Sequence, residues 1–187
     1  MPDHDSSAND FSKYRGYLKF LARRHLSTQY LGRFDYSDIV QQTLLNAYAA
    51  KSQFQGHSEP EKLAWLRQIL VNCISHLTRG FRAKKRDLHR ERSLAADLDA
   101  SSMRLENFMA GNESSPSQCM DRKDRVLVIA NAIESLAEEQ RQVVILRYWE
   151  DKSLREIAEQ LEKSIPAVAG LLHRATKKLR TLLKDEQ

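Results

Sequence analysis

Glycine and proline are scarce in this chain, six and four among 187 residues, which argues against the turn-rich patterns of sandwiches and barrels. The two cysteines, Cys73 and Cys119, lack the close Cys or His spacing of a zinc site or redox pair, so no metal is expected and Cys73 reads as a small core hydrophobe. No apolar stretch is long enough for a signal peptide or a membrane span, and the first residues, MPDHDSSAND, are polar and acidic. A cytoplasmic protein with no membrane insertion is therefore expected. Catalytic signatures are missing too: there is no phosphate-binding glycine loop, no H-E-x-x-H, no G-x-S-x-G and no carboxylate pair on one face. His57 and Glu59 form only an isolated loop pair. The expectation is a protein that is not an enzyme, with no cofactor and no small-molecule substrate.

What is present is helical periodicity and positive charge. Apolar residues recur at three- and four-residue steps rather than alternating, which predicts an all-α protein. Residues 93–121, SLAADLDASSMRLENFMAGNESSPSQCMD, interrupt that pattern with Ser, Asn, Asp, Gly and Pro, and read as a flexible linker. About 29 residues of random coil span about 30 Å, close to one DNA helical turn. The sequence thus predicts a three- or four-helix bundle over 9–92 and a second helical bundle over 122–187. In the second, Ser153 and Glu156 form an S-x-x-E capping box ahead of a short helix, and Ser164 is placed to cap another. Two helices around a tight turn resemble helix-turn-helix geometry.

The formal charge of +5 and pI near 9.2 become informative through their distribution. The run RGFRAKKRDLHRER holds Arg79, Arg82, Lys84, Lys85, Arg86, Arg90 and Arg92 against only Asp87 and Glu91. Such a density attracts phosphate. On a helical wheel Ile39, Val40, Thr43, Leu44, Ala47 and Tyr48 share one side, which leaves Leu45 stranded among Asp38, Gln41, Gln42 and Asn46. In the next helix Leu63, Leu66, Leu70, Cys73, Ile74, Leu77 and Phe81 make a core stripe, with Trp65, Asn72, His76 and Arg79 roughly opposite. An aromatic, an amide, an imidazole and a guanidinium suit stacking and edge hydrogen bonding to unpaired bases. For Trp65, packing against another helix is an equal alternative. In the last helix Ile165, Val168, Leu172, Ala175, Leu179 and Leu182 are the expected buried stripe. Pro166, Ala167, Gly170, His173, Arg174 and Lys177 then face outward, in or beside a major groove.

The segment D-I-V-Q-Q-T-L-L-N-A-Y at 38–48 resembles the polymerase-binding helix of small sigma factors of the extracytoplasmic-function group of the sigma-70 family. A-W-L-R-Q-I-L-V-N at 64–72, followed by basic residues, is similar to that group's promoter-melting helix, with Asn72 on a typical Asn. L-A-E-E-Q-R-Q-V-V-I-L-R-Y-W at 136–149, L-R-E-I-A-E-Q-L and L-H-R-A-T-K-K-L-R resemble the fourth region. The resemblance implies core RNA polymerase and promoter DNA as partners, and makes an anti-sigma factor a further candidate. It implies that Asp38, Gln41, Gln42 and Leu45 dock polymerase. Phe54, His57, Asn72, His76, Arg79, Arg82, Lys84, Lys85 and Arg86 would serve the melted −10 element and its phosphates. Arg155, Pro166, Ala167, Gly170, His173, Arg174 and Lys177 would serve the −35 element. The chain departs from the group's pattern at Gln42, at Val71, at His76, at Ala137 and in the reading helix, where the usual V-K-S-R-L is Val168, Ala169, Gly170, Leu171 and Leu172. Direct base readout by the first half of that helix is expected to be weak. A stand-alone helix-turn-helix regulator binding duplex DNA is the alternative, though it has no use for the stranded Leu45 face.

Overall fold

In the computed structural model, which describes residues 11–25, 35–79, 87–108 and 122–184, every regular element among the described residues is helical. The chain divides into two units, Met1–Ser102 and Met103–Gln187.

In the first unit a 3₁₀ turn, Phe11–Tyr14, leads into α1 (Arg15–His25), followed by α2 (Tyr36–Ala49) and α3 (Glu59–Arg79). Helix α1 buries Tyr17, Leu18, Phe20, Leu21 and Ala22, spread over about half of its circumference, as a helix packed on several neighbours must. Helix α2 starts where the Asp35 carboxylate accepts from the Ser37 amide at 3.1 Å, a cap of about 1 kcal/mol. Its buried set is Ile39, Val40, Thr43, Leu44 and Ala47. That set matches the inward face expected from the wheel, except that Tyr48 is 44% exposed and packs its ring edge on Phe11 at 5.0 Å. Helix α3 buries Leu63, Leu66, Leu70, Cys73 and Ile74 as expected, and Val71 and Ser75 as well. Leu77 is only half-buried and Phe81 lies outside the described residues.

The linker expected over 93–121 is the main correction among the described residues. Its first part belongs to α4 (Asp87–Phe108), and the first unit runs to Ser102 rather than ending at 92. Leu98 is fully buried, and Ser101 and Ser102 are buried beside it. The serines that read as loop residues are hydrogen-bonding partners of the bundle. The Tyr17 hydroxyl donates to Ser102 Oγ at 3.0 Å, and His25 Nε2 lies 2.9 Å from Ser101 Oγ. Arg67 on α3 donates to Asp99 at 2.6 Å, to the Tyr17 hydroxyl at 2.9 Å and to Ser102 Oγ at 3.4 Å. This network fastens the Leu98 to Ser102 turns with polar groups. Residues 109–121 of the expected linker lie outside the described residues.

In the second unit Arg104 of α4 donates to the Trp149 carbonyl and to Asp151, and Phe108 stacks on Trp149 at 5.1 Å. Helices α5 (Arg122–Glu134), α6 (Glu138–Tyr148), α7 (Leu154–Gln160) and α8 (Ile165–Lys184) complete it. Val143, Leu146, Ile157, Ala158, Val168 and Leu171 form one buried cluster. The Ser153 and Glu156 capping box is present in both directions. Helix α7 ends in a Schellman-type turn: Glu162 takes φ 52° and the Lys163 amide reaches the Ala158 carbonyl at 2.9 Å. A left-handed residue other than glycine costs about 1 kcal/mol, offset by the satisfied carbonyl. Ser164 then caps α8, accepting from the Ala167 amide at 3.3 Å.

Ser135 and Glu138, although spaced as an S-x-x-E pair, do not cap α6, whose N-cap is Ala137 without a side-chain bond. The Ser135 hydroxyl donates instead to the Ala132 carbonyl, and the Glu138 carboxylate lies 2.8 Å from buried Arg141, which also pairs with Glu134 at 2.9 Å. In α8 Val168, Ala175 and Leu179 are buried as expected, but Leu171 is buried in place of Leu172, which is half-buried, and Ile165 is 47% exposed.

Candidate nucleic-acid interface

On α2 the residues turned away from the core are Asp38, Gln41, Gln42, Leu45 and Asn46, all exposed, with Leu45 at 54%. The Gln42 amide donates to Asn46 Oδ1 at 2.9 Å, and Asn46 in turn donates to Cys73 Sγ on α3 at 3.3 Å. These bonds hold the amides in fixed positions over the junction of the two helices. The junction is an open cleft of about 560 Å³, walled by Asp38, Gln42 and Asn46 from α2 and by Asn72, Cys73 and His76 from α3. Residues the sequence assigned to two separate tasks therefore meet in one groove. Asn72 and His76 are both exposed, and Asn72 Oδ1 accepts from Gln68 at 3.1 Å.

The loop ahead of α3 is more ordered than its composition suggested. Ser58 and Glu61 make a reciprocal cap: Glu61 Oε2 accepts from the His57 and Ser58 amides at 2.8 and 3.0 Å, and the Glu61 amide donates to Ser58 Oγ at 3.4 Å. Those bonds, the His57 amide foremost, hold the Glu61 carboxyl below its usual range. The S-x-x-E signature at 58–61 was there to be read. His57 is thus fixed by its backbone while its side chain stays exposed.

Phe54 is half-buried, its ring 5.0 Å from that of Trp65, and Phe11 approaches Trp65 at 5.7 Å. Of the two readings of Trp65, packing is the one the structure displays. Gly56 is needed beneath this stack, because a Cβ there would strike the Phe54 ring and stand 3.0 Å from Glu61 Cβ. The loop is joined to the start of the chain by Glu59, which accepts from the Tyr14 hydroxyl and pairs with Lys13 at 3.0 Å. Burial acts to raise the Glu59 carboxyl, but the Tyr14 and Lys13 bonds outweigh it and the net shift is downward. Arg79 closes α3, and Arg82, Lys84, Lys85 and Arg86 lie outside the described residues.

In the second unit Pro166, Ala167, His173, Arg174 and Lys177 are exposed along one side of α8, and Gly170 is half-buried among them. The Arg174 guanidinium folds back over Gly170. Arg155 on α7 has its side chain 81% exposed and pairs with Glu159 at 3.2 Å. No helix among the described residues is long and apolar enough to cross a membrane.

The second unit is the DNA-binding class of module built on a helix-turn-helix: residues 127–179 match the family described as Sigma-70, region 4. The similarity extends well beyond it. Over 156 residues the chain is 28% identical to the ECF RNA polymerase sigma-E factors of Escherichia coli (strain K12) and Salmonella typhimurium, covering 80% of this chain and 74% of each relative. The sigma-E factor of Haemophilus influenzae is 28% identical over the same length, with 75% of that relative covered. The chain thus carries a match to sigma-70 region 4 and is similar over most of its length to ECF RNA polymerase sigma-E factors.

Proposed function

We propose that this protein is a sigma factor that joins core RNA polymerase in the cytoplasm and directs it to promoters, with the first unit engaging polymerase and the −10 element and the second unit the −35 element. The observation that carries this reading is the outer face of α2. Leu45, 54% exposed among Asp38, Gln41 and Gln42, forms an apolar anchor ringed by hydrogen-bonding groups, the arrangement a protein interface uses. The adjoining cleft places Asn72 and His76 beside that face, so docking would bring amide and imidazole groups to DNA held by polymerase. Both present edges suited to unpaired bases.

On this reading no covalent chemistry is required of the chain. Binding free energy available only when −10 bases are unstacked drives opening, in the same way that any ligand preferring one state shifts its population. The cations from Arg79 to Arg86 hold phosphates, which positions the duplex without reading it.

The test is promoter opening. Asn72→Ala and His76→Ala should retain affinity for core polymerase, yet show weaker permanganate reactivity of unpaired promoter thymines. Wild-type opening by both variants would remove these residues from the −10 assignment.

A further inference from the structure

Glycine inside a helix is unfavourable, so Gly170 in α8 invites the question of what it serves. It does not serve the backbone, because no glycine among the described residues takes a positive φ. It does not serve packing against another helix either. A Cβ built there would meet Arg174 alone, with Nη1 at 3.4 Å and Cζ and Nη2 at 4.0 Å. Side chains on a helix lean toward its N-terminus, so a residue covers the surface one turn earlier. Arg174 accordingly lays its guanidinium over position 170, on a stretch where Pro166, Ala167 and Gly170 offer no side-chain donor of their own.

The geometry points to Gly170 as the positioning residue for Arg174: the missing side chain opens a seat from which the Arg174 fork is presented to the base edges beside the first half of α8. This rests on the reading of Arg174 as a residue that contacts −35 base pairs. The specificity otherwise expected from residue 170 itself is delivered from position 174, and the two positions act as one element. A methyl at 170 sits at ordinary contact distance from a flexible side-chain tip and leaves the seat open. A branched side chain fills it and turns the guanidinium away.

The experiment is selection from a library randomised over the −35 element, using full-length protein in the reconstituted holoenzyme, with circular dichroism melts confirming that each variant folds. Arg174→Ala should lose a preference of roughly 5- to 150-fold at one base pair. Gly170→Ala should keep that preference, Gly170→Val should lose it to the level of Arg174→Ala, and Gly170→Val combined with Arg174→Ala should lose no more. A purely structural glycine would change melting in every background without this dependence on Arg174. If Arg174→Ala relaxes the preference while Gly170→Val retains it, the positioning role is overturned and the reading of Arg174 stands. If Arg174→Ala recovers the wild-type consensus, the reading of Arg174 fails, and the role of Gly170 fails with it.

Discussion

Leu44 and Leu45 are neighbours in sequence and opposites in environment, and this makes a controlled test of the polymerase-docking face. Leu44 is 9% exposed and Leu45 is 54% exposed. Truncating Leu44 to Ala removes buried methyl groups and should cost about 2–5 kcal/mol of folding stability. Truncating Leu45 should change stability by less than about 0.5 kcal/mol, as for other surface positions. In a complex the order reverses. Leu45 has about half of its side-chain burial still to gain, or about 0.8–1.6 kcal/mol of the 1.5–3 kcal/mol for full burial, which is about four- to fifteen-fold in Kd. Adding Gln41→Ala should remove a further 0.5–1.5 kcal/mol, on the order of one interfacial hydrogen bond. Urea denaturation of the free protein, and fluorescence anisotropy of labelled protein titrated with core polymerase, read the two effects separately. An unchanged Kd for Leu45→Ala with Gln41→Ala, or a stability loss as large as that of Leu44→Ala, would refute the assignment.

Two further predictions concern the packing of α4 on the first unit. Arg67→Met should cost about 1.5–3 kcal/mol, since it removes a charge-assisted bond to the buried Tyr17 hydroxyl; the partly exposed Asp99 pair contributes little. Hydrogen exchange should then accelerate at residues 98–102, and unchanged protection there would show that the network does not hold the helix. His25 is kept neutral by burial and by neighbouring Arg24, with Asp97 opposing, and its pKa is lowered to about 4. The unfolded chain binds that proton nearer pH 6.5, so stability should fall as pH drops from 6.5 to 4, by at most about 3 kcal/mol. His25→Gln, which keeps a hydrogen-bonding group for Ser101 but does not titrate, should flatten denaturation midpoints across that window, and a slope identical to wild type would contradict this.

The parts of the fold legible in the sequence are those where one physical pattern acts alone. The division of α2 into Ile39, Val40, Thr43, Leu44 and Ala47 inside and Asp38, Gln41, Gln42 and Leu45 outside followed from the 3.6-residue period. The cap at Ser153 followed from two side chains three residues apart. Where the sequence misled, polar residues had taken structural work that composition assigns to loops. Ser101 and Ser102 are buried at a helix junction because Tyr17, His25 and Arg67 supply partners from elsewhere in the chain, which no local window shows. For Trp65 the sequence left stacking and packing open, because Phe11 and Phe54, the rings that pack on it, come from before α1 and from the loop ahead of α3. Between Leu171 and Leu172 the helical period does not choose, and the position of α6 and α7 does.

The central claim is that this chain acts through polymerase rather than on DNA alone, and reconstituted transcription tests it most directly. Core RNA polymerase, the purified full-length protein and a library of promoter fragments should together yield discrete start sites with permanganate-reactive −10 thymines. Neither component alone should do so, and Leu45→Ala with Gln41→Ala should reduce the yield in step with its weaker core binding. Sequence-specific binding of the free protein to a palindromic duplex, with no start site gained on adding core polymerase, would contradict the account.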